Sequence, residues 1–214
     1  MITPTLILDS HERWSPCAVE TLLEVKATIN GQPLDLRNLP AAGGKIDMPR
    51  DMRQPGTEHV GYHRVVHGGG LWWHQFWTWW LFNPKKYVGF GEHEGDWEMC
   101  QLGCIDESGD FPVLMTCSQH DGGEKREYWR VELLHDAPKV YVARDSHANY
   151  FAAHQDVTDQ ADGKGDALDM IEWRDFDAWA EWPGKWGNSD TSPGPLSTRR
   201  AWQAPHAWHG QARG

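Results

Sequence analysis

The sequence predicts a mainly β protein, an antiparallel β-sandwich with a few peripheral short helices and long loops. Short runs rich in aromatic and β-branched residues outnumber helical patterns, and these residue types favour strands. Short turn sequences such as 106–110 separate the runs, which is typical of antiparallel hairpins. Because no linker-like run divides the 214 residues, we predict one domain over residues 1–214, with a frayed tail at 206–214.

The N-terminal quarter of the chain predicts one strand, one helix and a long loop. Residues 5–8 form a short apolar run that fits a strand. Ser15 followed by Pro16 is typical of a helix start, because Ser caps the first turn and Pro fits its first position, so we predict a helix over 16–25. Residues 31–57 are rich in Gly, Pro, Asn and Asp and predict an irregular loop.

The middle of the chain carries the predicted sheet. Residues 71–82 hold a dense set of Trp and Phe side chains; periodicity alone also allows a helix, but the aromatic content favours a strand buried on both faces. The glycines at 68–70 predict the turn before it. Further strands are predicted at 95–103, 111–119, 127–133 and 139–144. The pattern then loosens into an irregular segment at 155–169 and a short helix within 172–182.

The charge balance excludes some classes of partner. Lys plus Arg number 20 and Asp plus Glu number 31, a formal net charge of −11. Nucleic-acid binding depends on cationic side chains that neutralise phosphates, so we predict no nucleic-acid partner. An anionic membrane surface is disfavoured for the same reason, unless a bound cation bridges the two.

The sequence shows neither the pattern of a membrane span nor that of an export signal. No run approaches the roughly 18 apolar residues of a transmembrane segment. The first residues lack the basic and apolar regions of a signal peptide, which predicts a cytoplasmic protein, with secretion as the alternative. The sequence leaves the oligomeric state open.

Two residue types bear on the interior. The four cysteines form no Cys-x-x-Cys pair, so we predict buried reduced thiols, with disulfides as the alternative, at Cys17, Cys100, Cys104 and Cys117. Fourteen tryptophans are unusual for this length. An indole combines a large apolar body with an N–H donor, so most must lie in the core, and a minority could line a pocket.

The segment 91–98, Gly-Glu-His-Glu-Gly-Asp-Trp-Glu, concentrates one imidazole and four carboxylates. Carboxylates this dense repel one another unless a positive charge lies between them, and a divalent metal ion supplies that charge. Asp96 and Glu98 project from the same face of a predicted strand about 7 Å apart, while Trp97 points into the core. His93 precedes the strand on a Gly-flanked turn and can fold back over the same ion. We therefore predict His93, Asp96 and Glu98 as metal ligands.

Other residues are predicted to complete the site. His120 and His147 each end a predicted strand, so both are candidate metal ligands or acid/base groups. Glu94 or Glu98 could act as a general base on a metal-bound water, whose pKa such an ion lowers towards roughly 7. We also predict a Trp-lined substrate pocket that includes His74, Trp77, Asn83 and Tyr150.

The types of the predicted ligands restrict the identity of the metal ion only in part. Imidazole with carboxylate suits Zn, Mn, Fe or Co, whereas mostly oxygen ligands favour Mg or Ca. Two His and one carboxylate with open positions would match a non-haem iron oxygenase. The sequence has no GxSxG, P-loop or dinucleotide-binding motif, so a catalytic function depends on the metal.

The motifs are similar to those of a known family. The chain resembles the Vps62-like family through the segments 12–16, 81–83, 91–98, 118–120, 140–150, 182–187, 192–195 and 202–205. These segments span most of the chain, and 91–98 is the most specific of them. The resemblance implies no general activity.

A more distant similarity connects the chain to the necrosis- and ethylene-inducing peptide-like cytolysins, whose heptapeptide is Gly-His-Arg-His-Asp-Trp-Glu. The resemblance places His93, Asp96 and Glu98 on the metal-binding His, Asp and Glu of that family. It implies a β-sandwich that holds a divalent cation and recognises the sugars of membrane sphingolipids.

The chain departs from the cytolysin pattern at several positions. It has Glu94 and Gly95 in place of the Arg-His pair. Lys85 or Lys86 lies near the place of an upstream Asp, and Asn83 is the nearest polar substitute. These departures bear on toxin activity and leave the predicted metal ligands in place.

Three functions fit these features. The first is a metal-dependent enzyme of hydrolase or lyase type, acting on a small oxygenated organic molecule in the Trp-lined cleft. The alternative is a non-catalytic module that binds a glycan or lipid head group through a cation. The third is a purely structural ion. A catalytic metal keeps an open coordination position, whereas a structural one is fully ligated by protein.

Overall fold

The computed structural model describes residues 1–50, 58–84, 92–119, 122–156, 160–188 and 192–196, and the predicted tail at 206–214 lies outside them. The protein is 44% strand and 7% helix, which confirms the predicted fold class. The elements are β1 Thr5–Ile7, α1 Thr21–Glu24, β2 Thr28–Ile29, β3 Gln32–Pro33, β4 Ile46–Asp47, β5 Val60–Gly68, β6 Leu71–Asn83, β7 His93–Cys104, β8 Pro112–Gln119, β9 Gly122–Glu127, β10 Leu133–Leu134, β11 Ala137–Val142, β12 Asn149–Tyr150, β13 Ala167–Leu168 and β14 Glu172–Asp175. Two 3-10 helices cover Tyr128–Arg130 and Ala178–Glu181.

The larger sheet has six strands in the order β14-β5-β6-β7-β8-β9. The strands from β5 to β9 pair antiparallel with their neighbours in sequence, because short connections join them. β6 and β7 form the centre, in a register that sets Trp79 opposite Trp97 and Trp80 opposite Asp96. β14 joins the edge parallel to β5.

The second sheet has five strands, in the order β10-β11-β1-β13, with β12 paired to β11. β1 runs parallel to β11 and antiparallel to β13, so the N-terminal strand lies between two strands from the second half of the chain. β12 lies against β7 and β8, which places the turn between β11 and β12 beside the larger sheet. A third, small sheet has the order β3-β2-β4.

Tryptophans fill the core on both sides of β6. On one side Trp79 contacts Trp97, with ring centroids 5.1 Å apart. Trp179 and Trp186 cover this side, with centroids 5.8 and 5.5 Å from that of Trp97. Trp80 is also fully buried and alternates to the other side, towards the second sheet. The predicted burial of the aromatic strand on both faces is therefore confirmed.

The predicted helix over 16–25 is much shorter in the structure. Only α1 is helical, and its N-cap is Glu20 rather than Ser15. The carbonyl of Pro16 accepts a hydrogen bond from the N–H of Val60, the first residue of β5. The N–H of Cys17, the residue after Pro16, donates to the carbonyl of Trp79 in β6. These backbone groups are satisfied by the large sheet, so the helix begins only after them.

Other segments also differ from the prediction. The strand predicted over 127–133 is wrong: β9 ends at Glu127, a 3-10 helix follows, and β10 begins at Leu133. β9 is the polar edge segment Gly-Gly-Glu-Lys-Arg-Glu, which lacks the apolar alternation that marks a strand in a sequence. Within 172–182, β14 and a 3-10 helix replace the predicted helix, because β14 pairs with the edge of β5. The predicted loop 31–57 contains β3 and β4, both paired to β2.

Candidate functional site

The first residues of β7 carry the predicted ligands. The strand begins at His93, two residues earlier than predicted, so His93 lies within the strand and not on a turn before it. Gly95 has a φ of +63°, which interrupts the regular alternation. Beyond it Asp96 and Glu98 project from one face, and they are 5% and 1% exposed. Buried carboxylates need partners for their charge, so the groups around them define the site.

Asp96 contacts His147, which comes from the turn between β11 and β12. The Nδ1 atom of His147 lies 3.0 Å from Oδ2 of Asp96. The imidazole is fully buried and stacks on the indole of Trp80, with ring centroids 4.1 Å apart. The structure therefore brings two predicted site residues together, although 51 positions separate them in the sequence.

Glu98 and Glu94 have different neighbours. The hydroxyl of Ser118 donates to Oε2 of Glu98 and accepts the N–H of Met99 at 2.9 Å. The carboxylate of Glu94 is fully buried and accepts the N–H of Met48 at 3.0 Å and the side-chain amide of Asn188 at 3.2 Å. Glu94, a predicted catalytic base, thus ties two loops to the start of β7.

His93 contacts protein atoms through both ring nitrogens. Its Nε2 lies 3.2 Å from the amide nitrogen of Asn83, and its Nδ1 lies 3.2 Å from the Ser192 hydroxyl. Across the described part of the chain, the ligand atoms of His93, Asp96 and Glu98 do not gather within 4.8 Å of one another. An ion shared by all three therefore requires a change of side-chain conformation.

Glu12 belongs to the same group, although no sequence pattern indicated it. Its side chain is fully buried. One carboxylate oxygen accepts the N–H groups of Arg13 and Trp14, and the other accepts the N–H of Asp145 at 2.7 Å. That second oxygen lies 3.9 Å from Nε2 of His147. Residue 12 falls in a segment that supports the family resemblance, but no spacing connects it to residue 147.

A second cluster lies on the same N-terminal turn. Asp9, His11 and Asp162 offer ligand atoms within 4.8 Å of one another, so a possible Asp-His-Asp metal-binding group exists. The two oxygens of Asp9 accept the N–H groups of His11 and Asp162, each at 2.9 Å. Burial raises the pKa of Asp162, but hydrogen bonds from Ser10 and from the N–H of Lys164 outweigh it and lower the pKa to about 2. No local pattern indicates this group, because Asp162 lies 153 positions from Asp9.

Asn83 and Tyr150, two of the predicted pocket residues, have different surroundings. Asn83 ends β6 and contacts His93, its partner in the strand register. Tyr150 is buried in β12, just after the turn that carries His147, but its side chain packs with Ile7 and Tyr141 in an apolar cluster separate from the main core.

The other predicted residues lie elsewhere. Trp77 alternates to the face of β6 opposite Trp80, and its indole N–H donates to Gln75. His74 lies six residues before Trp80 on β6, which places it about 20 Å away along the strand. His120 falls outside the described residues.

Comparisons with known proteins concern the fold. No protein-family model matches the chain, and no curated protein sequence matches it. A structure described as a toxin fold for microbial attack and plant defense aligns with a TM-score of 0.55 at 12% identity, over 94% of this chain and 83% of that one. NLPPya in complex with mannosamine gives 0.53 at 13% identity over 94% and 84%, and NLPPya in complex with glucosamine gives 0.53 at 13% over 94% and 83%. Because these structures are only 12% and 13% identical to this chain, the likeness shows a shared fold alone.

Within the described residues, no helix combines the length and the apolar character that crossing a bilayer requires.

Proposed function

We propose that the protein is a non-catalytic binding module that recognises an amino sugar, or a glycan or lipid head group containing one, through a bound divalent cation. The observation that carries the proposal is the buried group of Glu12, Asp96, Glu98 and His147 at one end of the central strands. The shared fold adds support, because structures with that fold were solved with glucosamine and mannosamine.

The residues present fit a divalent cation. Three buried carboxylates and an imidazole face the same end of the sheet, and a divalent cation would offset the repulsion between the carboxylates. The Nε2 atom of His147 is buried and has no hydrogen-bond partner among the described residues. Oxygen donors with one imidazole nitrogen suit Mn, Zn, Mg or Ca.

A bound cation would supply a positive charge to which sugar hydroxyl and amino groups can coordinate. The chain's own part is to hold the carboxylates in place. Asp96 orients His147, the Ser118 hydroxyl orients Glu98, and Asn83 fixes the ring of His93. We propose that the predicted ligands His93, Asp96 and Glu98 surround the ion at this end of the sheet and contribute to holding it through their charge and contacts.

The test is a calorimetric titration of the protein with glucosamine and mannosamine. It is done with Mg²⁺, Ca²⁺, Mn²⁺ or Zn²⁺ present, and again in EDTA. We expect sugar binding with at least one of these ions and none in EDTA. Asp96→Asn keeps the shape of the side chain and should weaken cation binding by about tenfold or more, because a metal site loses about that much when a supporting carboxylate is removed.

Glu107→Gln is the matched control, because it removes one negative charge from the exposed hairpin between β7 and β8. It should leave both affinities within about twofold of wild type. Cation binding without any sugar response in every ion would contradict the recognition proposal. A protein that binds none of the four ions would contradict the cation itself.

Finer predictions from the sequence stay proposals. Membership in the Vps62-like family rests on the quoted motifs, and a cytoplasmic location is likewise a proposal. The hydrolase, lyase and non-haem iron oxygenase interpretations share the same metal ligands, but the fold comparisons favour the binding module. Turnover of an oxygenated substrate by the metal-loaded protein would support an enzymatic interpretation instead.

A further inference from the structure

We infer that the cation lies between Glu12 and the Nε2 atom of His147, and that Asp96 serves to orient the imidazole. This assignment rests on the proposed function, because it concerns the same cation. It adds a ligand from the N-terminal turn that neither the sequence pattern nor the family resemblance names. It also gives Asp96 a different role from the one that the resemblance implies.

The two nitrogens of His147 have different surroundings. Nδ1 lies 3.0 Å from Asp96 Oδ2, so a proton on Nδ1 would be donated to this carboxylate. In the neutral ring, Nε2 then presents a lone pair. This atom is buried and has no hydrogen-bond partner in the described part of the chain. A histidine whose Nδ1–H is held by a carboxylate, with Nε2 free, is the usual form of a metal-ligating imidazole.

A carboxylate oxygen of Glu12 lies near that lone pair. Oε2 of Glu12 lies 3.9 Å from Nε2 of His147, and both side chains are fully buried. Two acceptors that face each other away from water repel unless something positive lies between them. A proton on Nε2 would not bridge them well, because 3.9 Å exceeds a hydrogen bond.

The separation suits a metal ion. Two ligand atoms bound to one ion at about 2.1 Å each lie about 3.0 to 4.2 Å apart as the bond angle opens from about 90° to 180°. The observed 3.9 Å lies within this range and corresponds to a bond angle of about 136°, so a regular tetrahedral site would need the two atoms about 0.5 Å closer. By contrast, His93, Asp96 and Glu98 would have to rearrange before they could share an ion.

The backbone around His147 is also held by Glu12. His147 and Asp145 have φ angles of +53° and +67°, in a region of backbone conformation that residues other than Gly rarely adopt. The N–H of Asp145 donates to the same carboxylate of Glu12 at 2.7 Å. A strained turn that persists because a buried carboxylate holds it is typical of a functional site.

The rival position for the cation is the Asp9, His11 and Asp162 cluster. Each oxygen of Asp9 accepts a backbone N–H, and His11 is exposed with 73% of its side chain accessible. These contacts account for the cluster as a connection between the N-terminal turn and the loop at residue 162. The test must still separate the two positions.

The experiment uses Mn²⁺ alone, without sugar, and measures its binding by electron paramagnetic resonance. Wild type, Glu12→Gln, Asp162→Asn and the control Glu107→Gln are compared. We expect one bound Mn²⁺ in wild type with a ¹⁴N coupling from the imidazole. Glu12→Gln should weaken binding about tenfold to a hundredfold, whereas Asp162→Asn and Glu107→Gln should stay within about twofold.

The outcomes separate the two proposals. If wild type binds Mn²⁺ and Asp96→Asn weakens it, but Glu12→Gln does not, the inference is overturned and the proposed function stands. A bound Mn²⁺ without ¹⁴N coupling, or one that Asp162→Asn removes, also overturns the inference. If Glu12→Gln does not fold, Glu12→Asp keeps the charge on a shorter side chain and should still weaken binding. Failure of wild type to bind any cation removes the proposed function itself.

Discussion

The imidazole of His147 lies flat on the indole of Trp80, with ring planes 5° apart and centroids separated by 4.1 Å. Trp80 belongs to the central strand β6, whereas His147 lies on a turn beside the second sheet. Offset aromatic contacts of this kind fix the plane of a ring as well as burying it. The stack therefore sets the directions of both ring nitrogens, one towards Asp96 and the other towards Glu12.

Substitution of Gly95 should be strongly destabilising. A Cβ at this position would overlap the carbonyl oxygen of Trp186 and the ring of Trp79, and the φ of +63° adds strain for any side chain. We expect Gly95→Ala to lower the free energy of unfolding by about 3 kcal/mol or more, measured by urea denaturation.

Gly70→Ala is the matched control for this substitution. Gly70 also has a positive φ, +79°, but a Cβ there meets no described atom within 4 Å. Its cost should therefore be only the conformational part, about 1 to 2 kcal/mol. Equal losses for the two variants would mean that the contact with Trp186 does not constrain the strand.

Acidification should destabilise the protein through a histidine pair on β5 and β6. Nε2 of His63 lies 3.2 Å from Nδ1 of His74. Burial, and then the neighbouring His74, lower the pKa of His63 from 6.5 to about 4. Burial also lowers the pKa of His74. Between these pH values the unfolded chain binds more protons than the folded one, so the free energy of unfolding falls as the pH decreases from 6.5 to about 4.

The measurement is urea denaturation at pH 7 and pH 5. Wild type should lose about 1 to 2 kcal/mol more than His63→Gln between the two pH values. His67→Gln removes an exposed imidazole from the same strand and serves as control, with a pH dependence like that of wild type. If the free energy of unfolding of wild type changed as little with pH as that of His63→Gln, the histidine pair would not resist protonation in the folded protein.

The thiols should be unreactive in the folded protein. All four cysteines are free and buried, in agreement with the prediction of reduced interior thiols. Burial raises the pKa of Cys17 and Cys100 to about 12 and of Cys104 to about 11, and it raises the pKa of Cys117 well above its usual value. Because the thiolate is the reactive form, a disulfide reagent at pH 8 should label none of them without denaturant and all four in it. Rapid labelling of the native protein would contradict this burial.

The sequence could predict the features that depend on local pattern. The aromatic content of 71–82 indicated a strand buried on both sides, and β6 is that strand. Two-residue spacing placed Asp96 and Glu98 on one face of β7. The same reasoning failed for β9, because a polar edge strand is stabilised by its ladder with β8 and not by apolar alternation.

The parts of the site that escaped prediction are made by contacts between distant segments. Glu12 meets Asp145 across 133 positions, and Asp9 meets Asp162 across 153. Such contacts depend on β1 lying between β11 and β13, which no single-sequence periodicity encodes. His93 was expected on a turn, but pairing with Asn83 extends β7 to include it.

The place of β1 has a consequence for the order in which the protein folds. Leu6 pairs with Val140 and Leu168, so the second sheet closes only after the loops between these residues have been brought together. Contacts of such sequence separation carry a large loop-closure entropy and tend to form late. The hairpins from β5 to β9 can assemble earlier from local pairings. The cluster of Glu12, Asp96 and His147 would then be completed in the last steps, after the central strands have brought Trp79 opposite Trp97.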